Sequence, residues 1–325
     1  MKNITILVPE TAVPSSVSDP QYMFLAVNEF FRSAGKKIPF NVQLAGNSRQ
    51  IELHNGLFRI RTDVLFKDLE KTDLIIIPAI SGDKNMAIEK NKDLASWVRE
   101  QYKNGAEAAS LCLGAFLLAS TGLLKGKACS THWLHASEFR TMFPEVMLVD
   151  DKVITDQNGI YSSGGASSYW SLLLYLVEKY TDRETAVMAA KFFLLDIAKN
   201  SQSPFIIFKG QKDHDDREVL KAQEYIEEKY QDRISVDEIS ERSGVARRSL
   251  ERRFKKHTSN TIIEYIQRVK IEAAKKELES GQKTVNEVMY DVGYSDPKAF
   301  RDVFKKITCM SPVEYRNKYT KEAVF

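Results

Sequence analysis

Two sets of residues in this 325-residue chain have the types and spacing to do chemistry. The first is a pair of basic stretches. Arg247, Arg248, Arg252, Lys255 and Lys256 surround Leu250 and Phe254, while Lys298, Arg301 and Lys305 surround Phe300 and Phe304. On a helix, apolar residues four apart share one face, which leaves these cations on the exposed ones. An exposed arginine can present a two-pronged donor to guanine in a major groove, and a lysine can meet phosphate. The partner implied is double-stranded DNA. The second set is Cys112, within the small and apolar run Ala108 to Phe116, and Glu10, just after the first apolar run. A thiol on a sharp strand-to-helix turn stands at a sheet edge before a helix start, a setting expected to lower its pKa and ionise it.

The elements that must hold the basic stretches are written twice. Ser235-Val236-Asp237-Glu238-Ile239 through Gly244 is matched by Thr284-Val285-Asn286-Glu287-Val288 through Gly293 at a constant offset of 49 residues. The match resumes at an offset of 50, with Phe254-Lys255-Lys256 against Phe304-Lys305-Lys306 and Glu264-Tyr265 against Glu314-Tyr315. Ser235 and Thr284 are helix-capping types, and glutamate three residues later predicts a reciprocal capping box in both copies. Gly244 and Gly293 can take the left-handed conformation that ends a helix, so each copy reads as helix, tight turn and second helix. Between the copies, Ile262, Ile266, Val269, Ala273, Ala274 and Leu278 predict one helix over Thr261 to Glu279. At ~1.5 Å per residue it is about 28 Å long, which places the two recognition helices nearly one DNA turn, about 34 Å, apart.

Before this region, short apolar runs alternate with amphipathic ones, the pattern of a doubly wound α/β sheet. Strands are predicted at Asn3 to Val8, Phe40 to Ala45, Asp73 to Pro78 and Ala108 to Leu111, and helices at Tyr22 to Ser33, Asp93 to Lys103, Gly165 to Tyr180 and Thr185 to Leu195. Ligand sites in such sheets lie at the C-terminal ends of strands, where Glu10 and Cys112 fall. The division is an α/β domain over 1–198, a polar and proline-punctuated linker over 199–216, and an all-α domain over 217–325 with two helix-turn-helix motifs. Phe205-Ile206-Ile207-Phe208 is apolar enough to dock onto a domain. Gly164 to Ser168 reads as a packing turn, and Tyr169 and Trp170 as core or dimer-face residues.

Charge follows the same division. From Arg217 onward, 23 Lys and Arg stand against 19 Asp and Glu, a charge of +4 that leaves −1 for the rest. A mildly basic C-terminal domain suits a polyanionic partner. Three cysteines without paired spacing read as reduced thiols of a cytoplasmic protein, and no run approaches the ~20 apolar residues of a membrane span. The histidines show no metal-ligand spacing, so neither a metal nor a cofactor is expected.

Residues from about Glu218 to Tyr319 resemble the AraC family of transcription regulators. The resemblance is carried by Ile239-Ser240-Glu241-Arg242-Ser243-Gly244, Leu250-Glu251-Arg252-Arg253-Phe254, Gly293-Tyr294-Ser295-Asp296, and Ser311-Pro312-Val313-Glu314-Tyr315-Arg316. Three departures stand out. Ser259 and Cys309 replace the glycine usual five residues after each recognition-helix phenylalanine, and Asp302 stands where the first copy has Arg252. Before this domain, Cys112, then Leu118 to Gly126, then Ser130-Thr131-His132-Trp133 resemble the amidotransferase-like ThiJ/PfpI proteins in the version fused to AraC-type domains. That resemblance implies a reactive site of Cys112, His132 and Glu10, with Ser171 where the fused version usually carries an aspartate. It implies a regulator with a small-molecule effector in the N-terminal pocket, a homodimer through that domain, and RNA polymerase as a further partner. The alternative is an active cysteine enzyme tethered to DNA.

Overall fold

The computed structural model describes residues 1–196 and 201–320. The chain divides into two compact units, Met1–Gln202 and Ser203–Phe325.

In chain order, the first unit contains β1 (Lys2–Leu7), α1 (Pro14–Ser33), β2 (Phe40–Gly46), β3 (Gln50–Leu53), β4 (Phe58–Arg61), β5 (Val64–Leu65), β6 (Leu74–Ile77), α2 (Lys84–Lys90), α3 (Lys92–Lys103), β7 (Glu107–Ser110) and α4 (Gly114–Ser120). It continues with β8 (Ala128–Cys129), α5 (Ala136–Met142), β9 (Met147–Leu148), β10 (Ile154–Gln157), β11 (Ile160–Ser163), α6 (Tyr169–Tyr180) and α7 (Arg183–Phe192). Seven strands form one sheet in the order β10-β11-β7-β6-β1-β2-β5, parallel except for β10. Helices cover both faces, so the central strands must be apolar on both sides, and all four residues of β6 are wholly buried. Ile4, Ile6 and Ile76 pack with α1, α6 and α7, whereas Leu7, Ile75 and Ile77 pack with α2, α3 and α4.

The four predicted strands and four predicted helices are present, with shifted ends. Helix α1 begins at Pro14 rather than Tyr22, with the buried Pro20 inside its second turn. Its opening serines and prolines read as a loop because propensity is local, while burial of Val17 and Pro20 is not. Strand β11 escaped the sequence pattern because Ser162 and Ser163 interrupt it. Both are wholly buried, and their hydroxyls accept hydrogen bonds from the backbone amides of Ser130 and Cys112.

The second unit is helical: α8 (Arg217–Lys229), α9 (Val236–Ser243), α10 (Arg247–Thr258), α11 (Ile262–Ser280), α12 (Val285–Asp291), α13 (Pro297–Thr308) and α14 (Pro312–Tyr319). Two small cores form, one from α8, α9, α10 and the start of α11, the other from the end of α11 with α12, α13 and α14. Helix α11 belongs to both. Its Lys270 ammonium donates to the carbonyls of Asp232 (3.4 Å), Val292 (3.1 Å) and Gly293 (3.3 Å), joining a loop of the first half to the turn of the second. Gly293 is required there, since a Cβ would lie 2.1 Å from the Gln231 carbonyl oxygen. The apolar segment ahead of α8 is docked on this unit. The Phe208 ring meets Tyr265 edge-on at 5.0 Å, its amide donates to Glu272, and Lys275 donates to the Ile206 carbonyl. No helix among the described residues is long and apolar enough to cross a membrane.

The duplication extends to hydrogen bonds. Thr258 and Thr308 each donate to the carbonyl four residues back, Phe254 and Phe304, at 2.8 Å, and each accepts from the amide two residues on. Between them Ser259 and Cys309 take the left-handed conformation, at φ of +58° and +59°, where the chain lacks glycine. A non-glycine residue there costs roughly 1–2 kcal/mol, partly offset by the greater chain entropy of an unfolded glycine. Ser259→Gly and Cys309→Gly are therefore each expected to stabilise the second unit by about 0.5–1 kcal/mol. Chemical denaturation of the variants checks this, and unchanged or lower stability contradicts it.

Candidate functional site

The nucleic-acid face is assembled by the two helix pairs. In the second, Thr284 and Glu287 form the expected reciprocal box. In the first the box is half made. Ser235 accepts from the Glu238 amide, but the Glu238 carboxylate takes the Tyr225 hydroxyl instead of returning to the cap. Gly244 ends α9 at φ +67°, while α12 ends at Asp291 and Gly293 follows Val292 at φ +73°.

Leu250, Phe254, Phe300 and Phe304 are buried, and all eight proposed DNA-contacting cations are exposed. They are not equally available. Arg247 is bound to both Asp237 oxygens at 3.0 Å and to Glu251 at 3.2 Å, Lys255 reaches the Ser259 carbonyl and Glu264, and Arg301 donates to the Pro297 carbonyl. The side chains of Arg248, Arg252, Lys256, Lys298 and Lys305 make no hydrogen bond or ion pair among the described residues. Asp302 is exposed on α13.

Sequence reading passed over Arg253. Its guanidinium grips Asp216 at 2.8 and 2.5 Å and Glu218 at 2.7 Å. Asp216 in turn caps α8 through the Val219 amide, so the fork fastens the recognition helix α10 to α8. The Arg253 hydrogen bonds hold the Asp216 carboxyl at about 2, with the Val219 amide and His257 adding to the effect. Because that pKa is depressed in the folded state, its stabilisation is complete above the ordinary carboxylate range and is lost as pH falls towards 2. The signal was its spacing: Arg253 lies three residues after Leu250 and therefore beside the buried face.

In the first unit, the chain crosses from β7 to α4 through Cys112 at φ +51°. Gly114 allows the crossing, because a Cβ there would lie 2.5 Å from the carbonyl oxygens of Ile77 and Pro78. The Cys112 amide donates to Ser163 Oγ at 3.2 Å, and Thr131 Oγ1 donates to the Cys112 carbonyl at 3.1 Å. The elbow is therefore present, but its thiol is buried. Burial pushes the thiol up to about 11, against the weaker pull of the Leu113 amide and the Lys84 charge. This corrects the ionised thiol expected from the motif: desolvation outweighs the groups that favour the thiolate.

Neither implied partner hydrogen-bonds to the thiol among the described residues. His132 Nδ1 accepts from the Leu134 amide at 3.2 Å, and burial lowers its pKa, with His135 rather than a carboxylate as the charged neighbour. No hydrogen bond joins it to Cys112 among the described residues. Glu10 is exposed and accepts from Asn47 Nδ2 at 2.5 Å. It faces a groove of about 830 Å³ shared with Asn47, Glu52, His54, Asp83 and Lys90, which neither Cys112 nor His132 lines. The charge that reaches the thiol is Lys84, while the Tyr169 hydroxyl donates to Asp19 at 2.6 Å. Tyr169 packs in the core, as its place at the start of an apolar helix predicts, and no spacing marks Asp19 or Lys84.

Comparison with known proteins agrees with both halves. Residues 22–179 match the DJ-1/PfpI family, and residues 239–318 match a helix-turn-helix domain. The chain joins a DJ-1/PfpI-family domain to an AraC-type helix-turn-helix domain. The HTH-type transcriptional regulator GbdR of Pseudomonas aeruginosa (strain UCBPP-PA14) is 23% identical over 324 residues, spanning 94% of this chain and 86% of that protein. The xylose operon regulatory protein of Escherichia coli (strain K12) is 35% identical over 102 residues, 31% of this chain and 26% of that protein. A crystal structure from Vibrio parahaemolyticus shares the fold with a TM-score of 0.52 at 24% identity, over 59% of this chain and 98% of its own.

The elbow of this DJ-1/PfpI domain makes a direct expectation about alkylation. At pH 7.5 iodoacetamide should modify the exposed Cys309 well before the buried Cys112, whose rate should climb as pH approaches 11. Peptide mapping over time reads both sites. Cys112 reacting first would contradict the buried, protonated thiol.

Proposed function

We propose that this protein is a sequence-specific DNA-binding transcription regulator whose DJ-1/PfpI domain binds a small-molecule effector without turning it over. The observation that carries the DNA reading is the pair of repeated recognition helices whose exposed faces carry Arg248, Arg252, Lys256, Lys298 and Lys305 with no side-chain hydrogen bond or ion pair among the described residues. The relatives named as transcriptional regulators support it. Arg248 and Arg252 are assigned to base edges, and Lys256, Lys298, Arg301 and Lys305 to phosphates. Arg247 and Lys255, which already have carboxylate partners, are assigned to the rim of the contact.

Sensing is favoured over catalysis by the state of the elbow. A covalent mechanism needs a thiolate and a base within hydrogen-bond reach. Here burial favours the protonated thiol, His132 Nδ1 is taken up by the Leu134 amide with no hydrogen bond to Cys112 among the described residues, and Ser171 occupies the place of the orienting acid. The protein is assigned to the cytoplasm, acting as a homodimer through the N-terminal domain, with RNA polymerase as the partner when it activates.

Arg252→Ala tests the reading. If Arg252 reads a guanine, the variant should lose about 1–3 kcal/mol of affinity for the selected DNA and little for random DNA. Titrations at one fixed salt concentration measure both. Equal losses would make Arg252 a phosphate contact, and no loss on either would remove α10 from the interface.

A further inference from the structure

Each recognition helix contains one acidic residue, and the two are used differently. Glu251 on α10 is bound to Arg247 at 3.2 Å. Asp302 on α13 is exposed, and its carboxylate makes no hydrogen bond or ion pair among the described residues. Lys298 stands four residues before it, Lys305 three after and Lys306 four after, all of them exposed. None of the three closes onto it as Arg247 closes onto Glu251, so a bare anion stands within a ring of cations.

The buried face of α13 fixes where that anion points. Asp302 lies two residues after Phe300 and two before Phe304, which are 1% and 0% exposed. With 3.6 residues to a turn it is about 160° around the helix from each, in the middle of the outward face. Arg252 holds the same register between the buried Leu250 and Phe254 on α10. Lys298 and Lys305 fall to one side of Asp302 and Lys306 to the other. When the second helix of such a motif lies in the major groove, long flanking lysines reach the phosphates, and a short central side chain faces the base edges.

We propose that Asp302 is a specificity-determining residue that reads the amino group of a cytosine in the half-site under α13. The proposal rests on the DNA-binding reading given above and names one base for it. An ionised carboxylate only accepts hydrogen bonds, and the phosphates repel it, so it favours binding only where a base offers it a donor. In the major groove those donors are cytosine N4 and adenine N6. Adenine carries the N7 acceptor beside its amino group, which repels the second carboxylate oxygen, whereas cytosine has no acceptor of its own on that edge. Guanine presents O6 and N7, and thymine presents O4 and a methyl group, so both are rejected. With Arg252 assigned to guanine at the matching place on α10, the two half-sites differ in base at equivalent positions. Exchanging them sets Asp302 over the guanine and Arg252 over the cytosine, so the pair makes the order of the half-sites matter.

The test selects DNA from a random pool with the full-length protein, then titrates every base at each protected position at one salt concentration. The half-site under α13 is the one whose preferences Arg252→Ala leaves unchanged. There the wild type should require cytosine at one position, with roughly tenfold weaker binding to any other base. Asp302→Ala should accept all four bases about equally at that position and bind random DNA about threefold more tightly, because a charge repelled by phosphate is gone. Asp302→Arg, which repeats Arg252, should move the preference to guanine. Preferences under α10 should be the same in all three proteins, which shows that the variants are folded. A cytosine preference that survives either substitution, or a wild-type half-site under α13 with no cytosine preference, would overturn the role of Asp302 and leave the regulator reading intact. A wild type that selects no sequence at all would instead overturn the regulator reading itself.

Discussion

The DNA-binding unit depends on a single shared helix. Its two halves have separate small cores. Helix α11 supplies side chains to both. The Lys270 ammonium, fully committed to carbonyls from the two halves, converts that sharing into a defined geometry. Burial lowers the Lys270 pKa against the opposing pull of the Asp232 charge, and the three carbonyls supply the hydrogen-bond partners that the buried ammonium needs. The close approach at Gly293 is the steric counterpart of the same joint. Given this joint, α10 and α13 cannot drift independently, and their spacing becomes a property of the fold.

A different constraint governs the first unit. The sheet presents the Cys112 elbow at its C-terminal edge, as the motif requires, but the surroundings are closed around the thiol. Low dielectric at that point has two consequences of opposite chemical sense. It keeps the thiol protonated, which disfavours covalent chemistry, and it strengthens the field of any charge left unpaired nearby.

What could be read in the sequence divides along the same physical line. Repetition and periodicity made much of the second unit legible: the Ser235 and Thr284 caps, the turn glycines, the Phe254 and Phe304 faces and the spacer helix follow from local rules. The first capping box, by contrast, is left half made because Tyr225, from another helix, takes the Glu238 carboxylate. Alternating apolar runs gave the central strands β1, β2, β6 and β7, but the serine-bearing β11 was hidden because its burial comes from β7 and the chain beyond it. The functional details that were missed are all long-range. Arg253 looks like another surface cation until Asp216, 37 residues away, is folded against it. The Cys112 motif specifies a turn, whereas its protonation state is set mainly by burial beneath chain that has no fixed spacing from it. Glu10 shows the converse, a residue placed at the right strand end whose carboxylate turns to Asn47 and a separate groove.

The central claim is that one chain presents two recognition helices at a fixed spacing to successive major grooves. The most direct measurement selects the preferred DNA from a random pool, maps the protected segments, and inserts five base pairs between them. Half a turn of about 10 base pairs moves one segment to the opposite face of the duplex. The account predicts that this insertion abolishes high-affinity binding and that a full-turn insertion does not restore it, because α11 cannot lengthen. Retention of full affinity after the five-base-pair insertion would contradict it.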